Sequence, residues 1–324
     1  MHPLITSNPA ELRRFRAALL RWYTANHRPL PWRETRDPYC IWVSEVMLQQ
    51  TRVAAVTMYY RRFVERFPTV KALAAARLSA VLTAWSGLGY YRRARNLHAA
   101  ARQIVAGGEF PQSSAGLQQL PGIGRYTAAA IASIAFSEAR AVVDGNVERV
   151  LARLAGHALT SAQAWEQAQT LLSPTRPGDF NQAMMELGAT ICLPSEPNCT
   201  TCPVARWCGA RGRLPAPAAT LRRRGRVRLA LCVRDKQVLL VKRPATARLM
   251  PDMWELPAMA MAVTGGKKPL LRMRHSITVT DYEVLVFRAT ARKSHVGKWV
   301  RTDRVTALPL TGLTRKVLSR AGLM

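Results

Sequence analysis

The sequence predicts a mostly α-helical N-terminal part followed by a small α/β domain. Three features carry this reading. Apolar residues recur at helical spacing through the first two-thirds of the chain, where no strand-like alternation stands out. A basic break covers 212–225, with Pro215, Pro217 and the run Arg222, Arg223, Arg224. Beyond it come short alternating runs separated by turn residues. The chain has 324 residues, enough for about two domains with separate cores. Hydrophobic residues make up 48%, as in a globular protein. The expected division is a helical domain over 1–213, a linker over 214–225 and a second domain over 226–324.

Residues 12–23, 41–64, 79–85, 93–105, 127–136, 147–154 and 165–172 carry the helical spacing. Breaks at 29–32 and 87–89, rich in proline or glycine, separate some of them. After the linker, 227–233 and 237–242 read as a hairpin across a turn at Asp235 and Lys236. Residues 282–291 read as a further strand and 314–323 as a closing helix. No internal repeat or low-complexity tract is evident.

The formal net charge is +29, which biases the chain toward polyanionic partners, nucleic acid first. A membrane surface is the rival. The sequence has no basic amphipathic helix with a bulky apolar face and no span long enough to cross a bilayer. Lys71 is the only lysine before Lys236, so arginine carries most of the charge. Arginine suits bidentate phosphate contacts, and a GC-rich genome would favour it too. Residues 1–14 lack the apolar core of a signal peptide. A cytoplasmic, reduced setting is therefore expected, which argues against disulfides.

The six cysteines then need another explanation. Cys192, Cys199, Cys202 and Cys208 follow the spacing C-x6-C-x2-C-x5-C in a proline-containing stretch. Four thiolates there can hold one metal centre. Zinc ribbons favour two C-x2-C pairs, and only Cys199 and Cys202 form one. The unequal spacing fits a [4Fe–4S] cluster better. Zinc, or four unrelated thiols, are the competing readings. Cys40 and Cys232 read as small buried residues.

The run Leu120, Pro121, Gly122, Ile123, Gly124 lies between two helical stretches. Such a turn can present Gly122, Ile123 and Gly124 backbone N–H groups and a positive helix end to a DNA phosphate. It can equally be an ordinary turn between packed helices. Glu45 has Ile41, Trp42 and Leu48 as helical neighbours, at i−4, i−3 and i+3. An apolar face raises a carboxyl pKa and makes a usable general acid. A solvated helix glutamate is the alternative. Asp144 immediately precedes a helical stretch, where aspartate is commonly a cap. The same position keeps a carboxylate available to face a developing sugar cation. Cleavage of an N-glycosidic bond needs an acid for the leaving group and an anion for the cation, as in glycoside hydrolysis.

Taken together, these segments resemble the helix–hairpin–helix DNA glycosylases, and within them the MutY adenine glycosylases. The matching stretches are 30–33 (LPWR), 44–51 (SEVMLQQT), 87–91 (GLGYY), 120–127 (LPGIGRYT), 144–147 (DGNV), 181–189 (NQAMMELGA) and the four cysteines. The resemblance implies a six-helix barrel and a [4Fe–4S] subdomain with the active site between them. It implies that Glu45 protonates adenine and that Asp144, beside Asn146, stabilises the oxocarbenium ion. Tyr126 corresponds to the residue next to the reacting sugar. Trp32, Arg33 and Glu186 correspond to the adenine pocket. Gln50, Leu88 and Tyr90 correspond to the group that wedges into the helix opposite the flipped base, and Thr51 and Gly89 are expected to join them in binding substrate. Double-stranded DNA carrying adenine mispairs is the implied partner, and a monomer is expected.

Related bifunctional enzymes of the endonuclease III type carry a lysine where Tyr126 stands, so a Schiff-base route is not expected. The second domain resembles the Nudix-like domain with which MutY senses 8-oxoguanine, through residues 254–257 (WELP) and 274–276 (RHS). It departs from that pattern twice. The glutamate-rich Nudix box is absent, so pyrophosphate hydrolysis is not expected. The usual Phe-Ser-His triplet is replaced by Ile277, Thr278 and Val279, leaving one hydroxyl. An endonuclease III-like glycosylase/lyase and a non-catalytic DNA-binding protein are the alternative functions.

Overall fold

The structure, a computed structural model, describes residues 8–211, 222–247, 249–259, 268–277, 280–290 and 297–324. It divides into two compact units. One joins Met1–Ala74 to Ala99–Ala218, and the other joins Ala75–His98 to Ala219–Met324.

The first unit is helical. It holds α1 (Pro9–Asn26), α2 (Pro38–Leu48), α3 (Val53–Arg66) and α4 (Val70–Ala75). The intervening α5 (Leu78–Ala84) belongs to the second unit, and α6 (Arg92–Ala106) begins there. Then follow α7 (Ser114–Leu117), α8 (Arg125–Phe136), α9 (Gly145–Ala155), α10 (Ser161–Leu171) and α11 (Pro177–Thr190). Local chemistry sets many of the starts. Asn8 caps α1 and Asp37 caps α2, each before a proline that has no N–H to satisfy. Thr160 and Gln163 form a capping box on α10.

The single helical stretch expected over 41–64 is two helices. Gln49 ends α2, Gln50 turns left-handed with φ 57°, and Arg52 starts α3. Apolar spacing continues through the break because both helices bury apolar side chains, Val46 and Met47 in one and Val56 and Phe63 in the other. Periodicity alone cannot register such a turn.

Sequence spacing does not reveal α11, which is buried on most of its sides. Two glycines let it pass close to its neighbours. A Cβ on Gly178 would meet the Ser133 carbonyl of α8 at 2.6 Å, and one on Gly188 would meet the Asn146 side chain of α9 at 2.7 Å. These contacts hold α11 between α8 and α9. Phe15, Leu19, Val150, Leu154, Phe180 and Leu187 fill the core beside it.

The described residues of the second unit form two sheets. In one, β1 (Arg223–Leu231) runs parallel to β6 (Thr280–Arg288), and β5 (Leu271–Ile277) pairs antiparallel with β6. The other contains β2 (Val233–Arg234), β3 (Gln237–Lys242), β4 (Trp254–Glu255) and β7 (Lys298–Arg301), with β3 central. Strand β1 starts inside the stretch expected as linker. The expected hairpin is much shorter than 227–242 suggests. Val233–Val238 and Arg234–Gln237 pair across Asp235 and Lys236, both left-handed, and a bond from Leu239 N–H to the Cys232 carbonyl extends the pairing by one residue. The rest of the first strand pairs with β6, because its inward residues Leu229 and Leu231 join a core with Val284 and Val286. Helix α12 (Gly312–Arg320) closes the unit through Val317 and Leu318. Cys232 is buried as expected, whereas Cys40 is half-buried.

No helix among the described residues is long and apolar enough to cross a membrane.

Candidate active site and cysteine loop

The first unit contains a cavity of about 540 Å³. Trp32, Arg33, Glu45, Gln50, Thr51, Tyr126, Asp144, Asn146 and Glu186 all line it. Sequence reasoning had assigned each of these to a site. The cavity wall also includes Arg28, Ser44, Gln49, Gln182 and Met185, which sequence reasoning missed. A signal for two of them was present. Gln182, Met185, Glu186 and Ala189 fall at i, i+3, i+4 and i+7, one face of α11.

Helix α2 carries Glu45 inward, and the residue is only 6% exposed. Its Oε2 has no hydrogen-bond partner among the described residues. Burial pushes the carboxyl up to about 7, and Asp144 adds to the rise, while Tyr126 and Arg33 act against it. Tyr126, on the first turn of α8, donates its hydroxyl to Met185 Sδ at 3.1 Å. Burial, with Glu45 and Asp144 beside it, pushes that phenol well above its ordinary value.

Asp144 is the N-cap of α9. Its Oδ1 accepts from the Asn146 and Val147 backbone N–H groups at 3.0 and 2.8 Å. Its Oδ2 accepts from the Asn146 side-chain amide at 3.2 Å. The capping and cavity-lining readings of Asp144 therefore hold together. The cap fixes the carboxylate, and the same carboxylate borders the cavity. Asn146 Oδ1 in turn accepts from Arg149, which also donates to the Gly188 and Cys192 carbonyls.

Glu186 has the opposite environment. Its carboxylate accepts from the Arg28 backbone and guanidinium and from Arg33, at 2.7–3.1 Å. Burial would raise its pKa, but these arginines override it and hold the carboxyl down to about 2. Arg33 also lies 5.5 Å from the centre of the Tyr23 ring, and Trp32 packs edge-on against Tyr60. Two buried carboxyls in one cavity thus differ in character: Glu45 can carry a proton near neutrality, and Glu186 cannot.

The turn before α8 matches its expected form. Gly122 is left-handed, at φ 77°, and Gly124 caps α8 without a side-chain acceptor. Gly122 and Gly124 are exposed while Ile123 is buried. No side chain caps the first turn of α8.

Leu88, Gly89 and Tyr90 lie in the second unit. Tyr90 is exposed, and Leu88, expected as a wedge beside it, is buried. Thr278 and Val279 lie outside the described residues.

Cys192, Cys199, Cys202 and Cys208 surround one small cavity of about 30 Å³. Arg153 donates to Cys192 Sγ at 3.2 Å and to the Leu193 and Pro194 carbonyls, and the Arg211 N–H donates to Cys208 Sγ. Burial pushes the Cys202 thiol up to about 11, and the other three cysteines add to the rise. Among the described residues, no group of three His, Cys, Asp or Glu is arranged to hold a single metal ion.

Residues 43–174 match the HhH-GPD superfamily of base excision DNA repair proteins. The chain is 51% identical to the adenine DNA glycosylase of Homo sapiens over 222 residues. That match covers 63% of this chain and 41% of the human protein, so the chain spans less than half of that relative. It superposes on a thermostable thymine-DNA glycosylase with a TM-score of 0.58 at 30% identity, over 63% of this chain and 97% of that one. An endonuclease III bound to DNA shares the fold, with a TM-score of 0.54 at 23% identity, over 63% of this chain and 96% of that one. The helical fold, the cavity and these likenesses agree, and the chain belongs to the HhH-GPD superfamily of base excision DNA repair proteins.

Proposed function

We propose that this protein is a monofunctional adenine DNA glycosylase that removes adenine mispaired with 8-oxoguanine or guanine. The observation that carries the proposal is the pairing of a buried, proton-holding Glu45 with a capped Asp144 around one cavity. A stacked base cannot reach such a cavity, so the adenosine must first rotate out of the duplex. Glu45 then donates its proton to adenine N7, turning the base into a neutral leaving group. The Asp144 carboxylate, held by two backbone N–H groups and Asn146, stabilises the oxocarbenium ion until water adds. Glu186 works indirectly: arginine donors occupy its oxygens, so it orients Arg33 in the cavity wall. Tyr126 offers no amine, so the sugar forms no Schiff base and the strand is not nicked. The turn at Gly122, Ile123 and Gly124 receives a DNA phosphate.

The four cysteines fit a [4Fe–4S] cluster. Four half-buried cysteines border one small cavity, burial and the other three cysteines disfavour the Cys202 thiolate, and a multivalent centre would offset that cost. The cluster would cross-link residues 192–208 as a structural centre. Iron and acid-labile sulfide should accompany the purified protein, and stoichiometric zinc without iron would overturn this assignment. One mixed sheet, one antiparallel sheet and the closing helix of the second unit support a Nudix-like lesion-sensing domain, to which Thr278 would contribute a hydroxyl for reading the damaged base.

The direct test uses duplexes with adenine opposite 8-oxoguanine, guanine or thymine, with and without alkali. Adenine release from the first two, with strand breaks only after alkali, is expected. Release of oxidised pyrimidines with nicking would instead indicate a glycosylase/lyase. Binding without release would indicate a non-catalytic DNA-binding protein.

A further inference from the structure

The loop at residues 87–91 is unusual in backbone and in anchoring. Gly87, Gly89 and Tyr90 are all left-handed, with φ of 113°, 74° and 50°. Left-handed backbone at a tyrosine persists only where surrounding contacts over-determine it. Here they do. The Trp85 indole N–H and the Arg93 guanidinium both donate to the Gly89 carbonyl, at 3.1 and 3.3 Å. Arg93 lies 5.5 Å from the centre of the Trp85 ring and 5.3 Å from that of Tyr90. The Gly87 N–H donates to the Tyr91 hydroxyl at 3.3 Å, which ties the two ends of the loop together.

That hydroxyl has a second contact. Tyr91 is buried, and its O–H donates to the Leu310 carbonyl at 2.9 Å. The Ser86 hydroxyl donates to the same carbonyl at 2.9 Å. Arg315, on α12, donates its Nε to Ser86 Oγ at 3.1 Å. The Leu310 segment is itself pinned to β4. Trp254 N–H donates to the Pro309 carbonyl at 2.8 Å, and Thr311 N–H donates to the Trp254 carbonyl at 2.9 Å. One main-chain oxygen more than 200 residues downstream thus fixes both shoulders of the loop.

We infer that Leu310, through its carbonyl, and Arg315 are positioning groups for Tyr90, the exposed side chain that enters the duplex when adenine is extruded. The inference rests on the glycosylase reading. The chain beyond residue 222 then acts on the mispair in a second way, besides any reading loop of its own: it sets the posture of a loop encoded in the helical part. Tyr90 stays poised because Ser86 and Tyr91 cannot relax independently of α12 and β4.

The test is made in the full chain, with Tyr91→Phe, Arg315→Ala and, as control, Thr83→Val. Phenylalanine keeps the buried ring and removes only the bridging hydroxyl. The Thr83 hydroxyl donates to the Ser79 and Ala307 carbonyls, at 2.8 and 3.3 Å, and valine removes it while leaving the Thr83 backbone carbonyl that accepts from Ser86 N–H. Extrusion is read from the fluorescence of 2-aminopurine placed 3′ to the target adenine, which brightens when its stacking neighbour leaves. Excision is read as a single-turnover rate across pH. Tyr91→Phe and Arg315→Ala should lower the extrusion signal and the rate by about two- to tenfold for each hydrogen bond lost. The midpoint of the pH–rate profile should not move, because Glu45 is untouched. Thr83→Val should match wild type. Wild-type extrusion in both loop variants overturns the inference. So does a rate loss matched by a shifted pH profile, or an equal loss in Thr83→Val. A wild-type protein that extrudes but never releases adenine overturns the glycosylase reading instead, while the extrusion arm still decides the positioning role.

Discussion

Glu45 offers the sharpest test of the chemistry. Its carboxyl is raised from an ordinary 4.5 to about 7, a preference for the protonated form of about 3 kcal/mol. Two consequences follow from the same number. The first is kinetic. If the proton on Glu45 leaves with adenine, single-turnover excision should be level at low pH and fall through pH 7. By pH 9 about one molecule in a hundred retains the proton, so the rate should be about a hundredfold lower. Glu45→Gln keeps the shape but carries no acidic proton, and should lose about 10²–10⁴ in rate at pH 6. The second consequence is thermodynamic, and its sign is opposite. Because the folded-state pKa is raised, the folded protein holds a proton that the unfolded chain releases above pH 4.5. Release of that proton by the unfolded chain therefore erodes stability progressively between pH 4.5 and 7, and above 7, where the buried group ionises as well, the loss stays constant. Glu45→Gln avoids it. The inactive variant should be more stable than wild type at pH 8, by up to about 3 kcal/mol, and close to wild type at pH 4. Quenched-flow excision on adenine opposite 8-oxoguanine, with urea unfolding at both pH values, reads both effects. A flat pH–rate profile, or a variant that is active at pH 6, would refute the assignment of Glu45 as the acid. A variant equally destabilised at both pH values would refute the proposed environment.

Asp144→Asn preserves an N-cap acceptor, so the variant should fold and bind substrate while losing excision; a near-wild-type single-turnover rate would reduce Asp144 to a helix cap. With tyrosine at position 126, borohydride should trap no covalent DNA adduct, and efficient nicking without alkali would contradict the monofunctional reading. Glu186→Gln leaves the Arg28 and Arg33 guanidiniums without their shared carboxylate and should destabilise the protein by about 3 kcal/mol or more. Because the wild-type group is held at about 2, its stabilisation is present above pH 4.5 and lost as pH falls through 2. Denaturation at pH 7 and pH 2.5 should show the gap between wild type and variant closing, and a gap that stays constant would argue against an ionic role.

Several features were legible in the sequence because they are local. The cap at Asp144 needs only an acceptor ahead of a helix. The inward face of Glu45 needs only the spacing of Ile41, Trp42 and Leu48. The left-handed turn at Asp235 and Lys236 is likewise local, set between two alternating runs. Family motifs, not spacing, drew Trp32, Tyr126 and Glu186 into the same reading, and one cavity contains all three.

Other features depended on residues far apart in the chain. Nothing local distinguishes pairing of β1 with β3 from pairing with β6; the burial of Leu229 and Leu231 beside Val284 and Val286 settles it. The difference between two buried glutamates was likewise invisible. Glu186 stays ionised because Arg28 and Arg33 arrive from more than 150 residues away, while Glu45 meets no comparable cation. The loop at 87–91 is recognisable as a motif, but its grip on Leu310 and Arg315 exists only in the folded chain. The physical reason is common to all three. Helix spacing and capping are fixed by neighbours a few residues away, whereas pKa, strand partner and loop posture are set by whichever distant groups share the same low-dielectric surroundings.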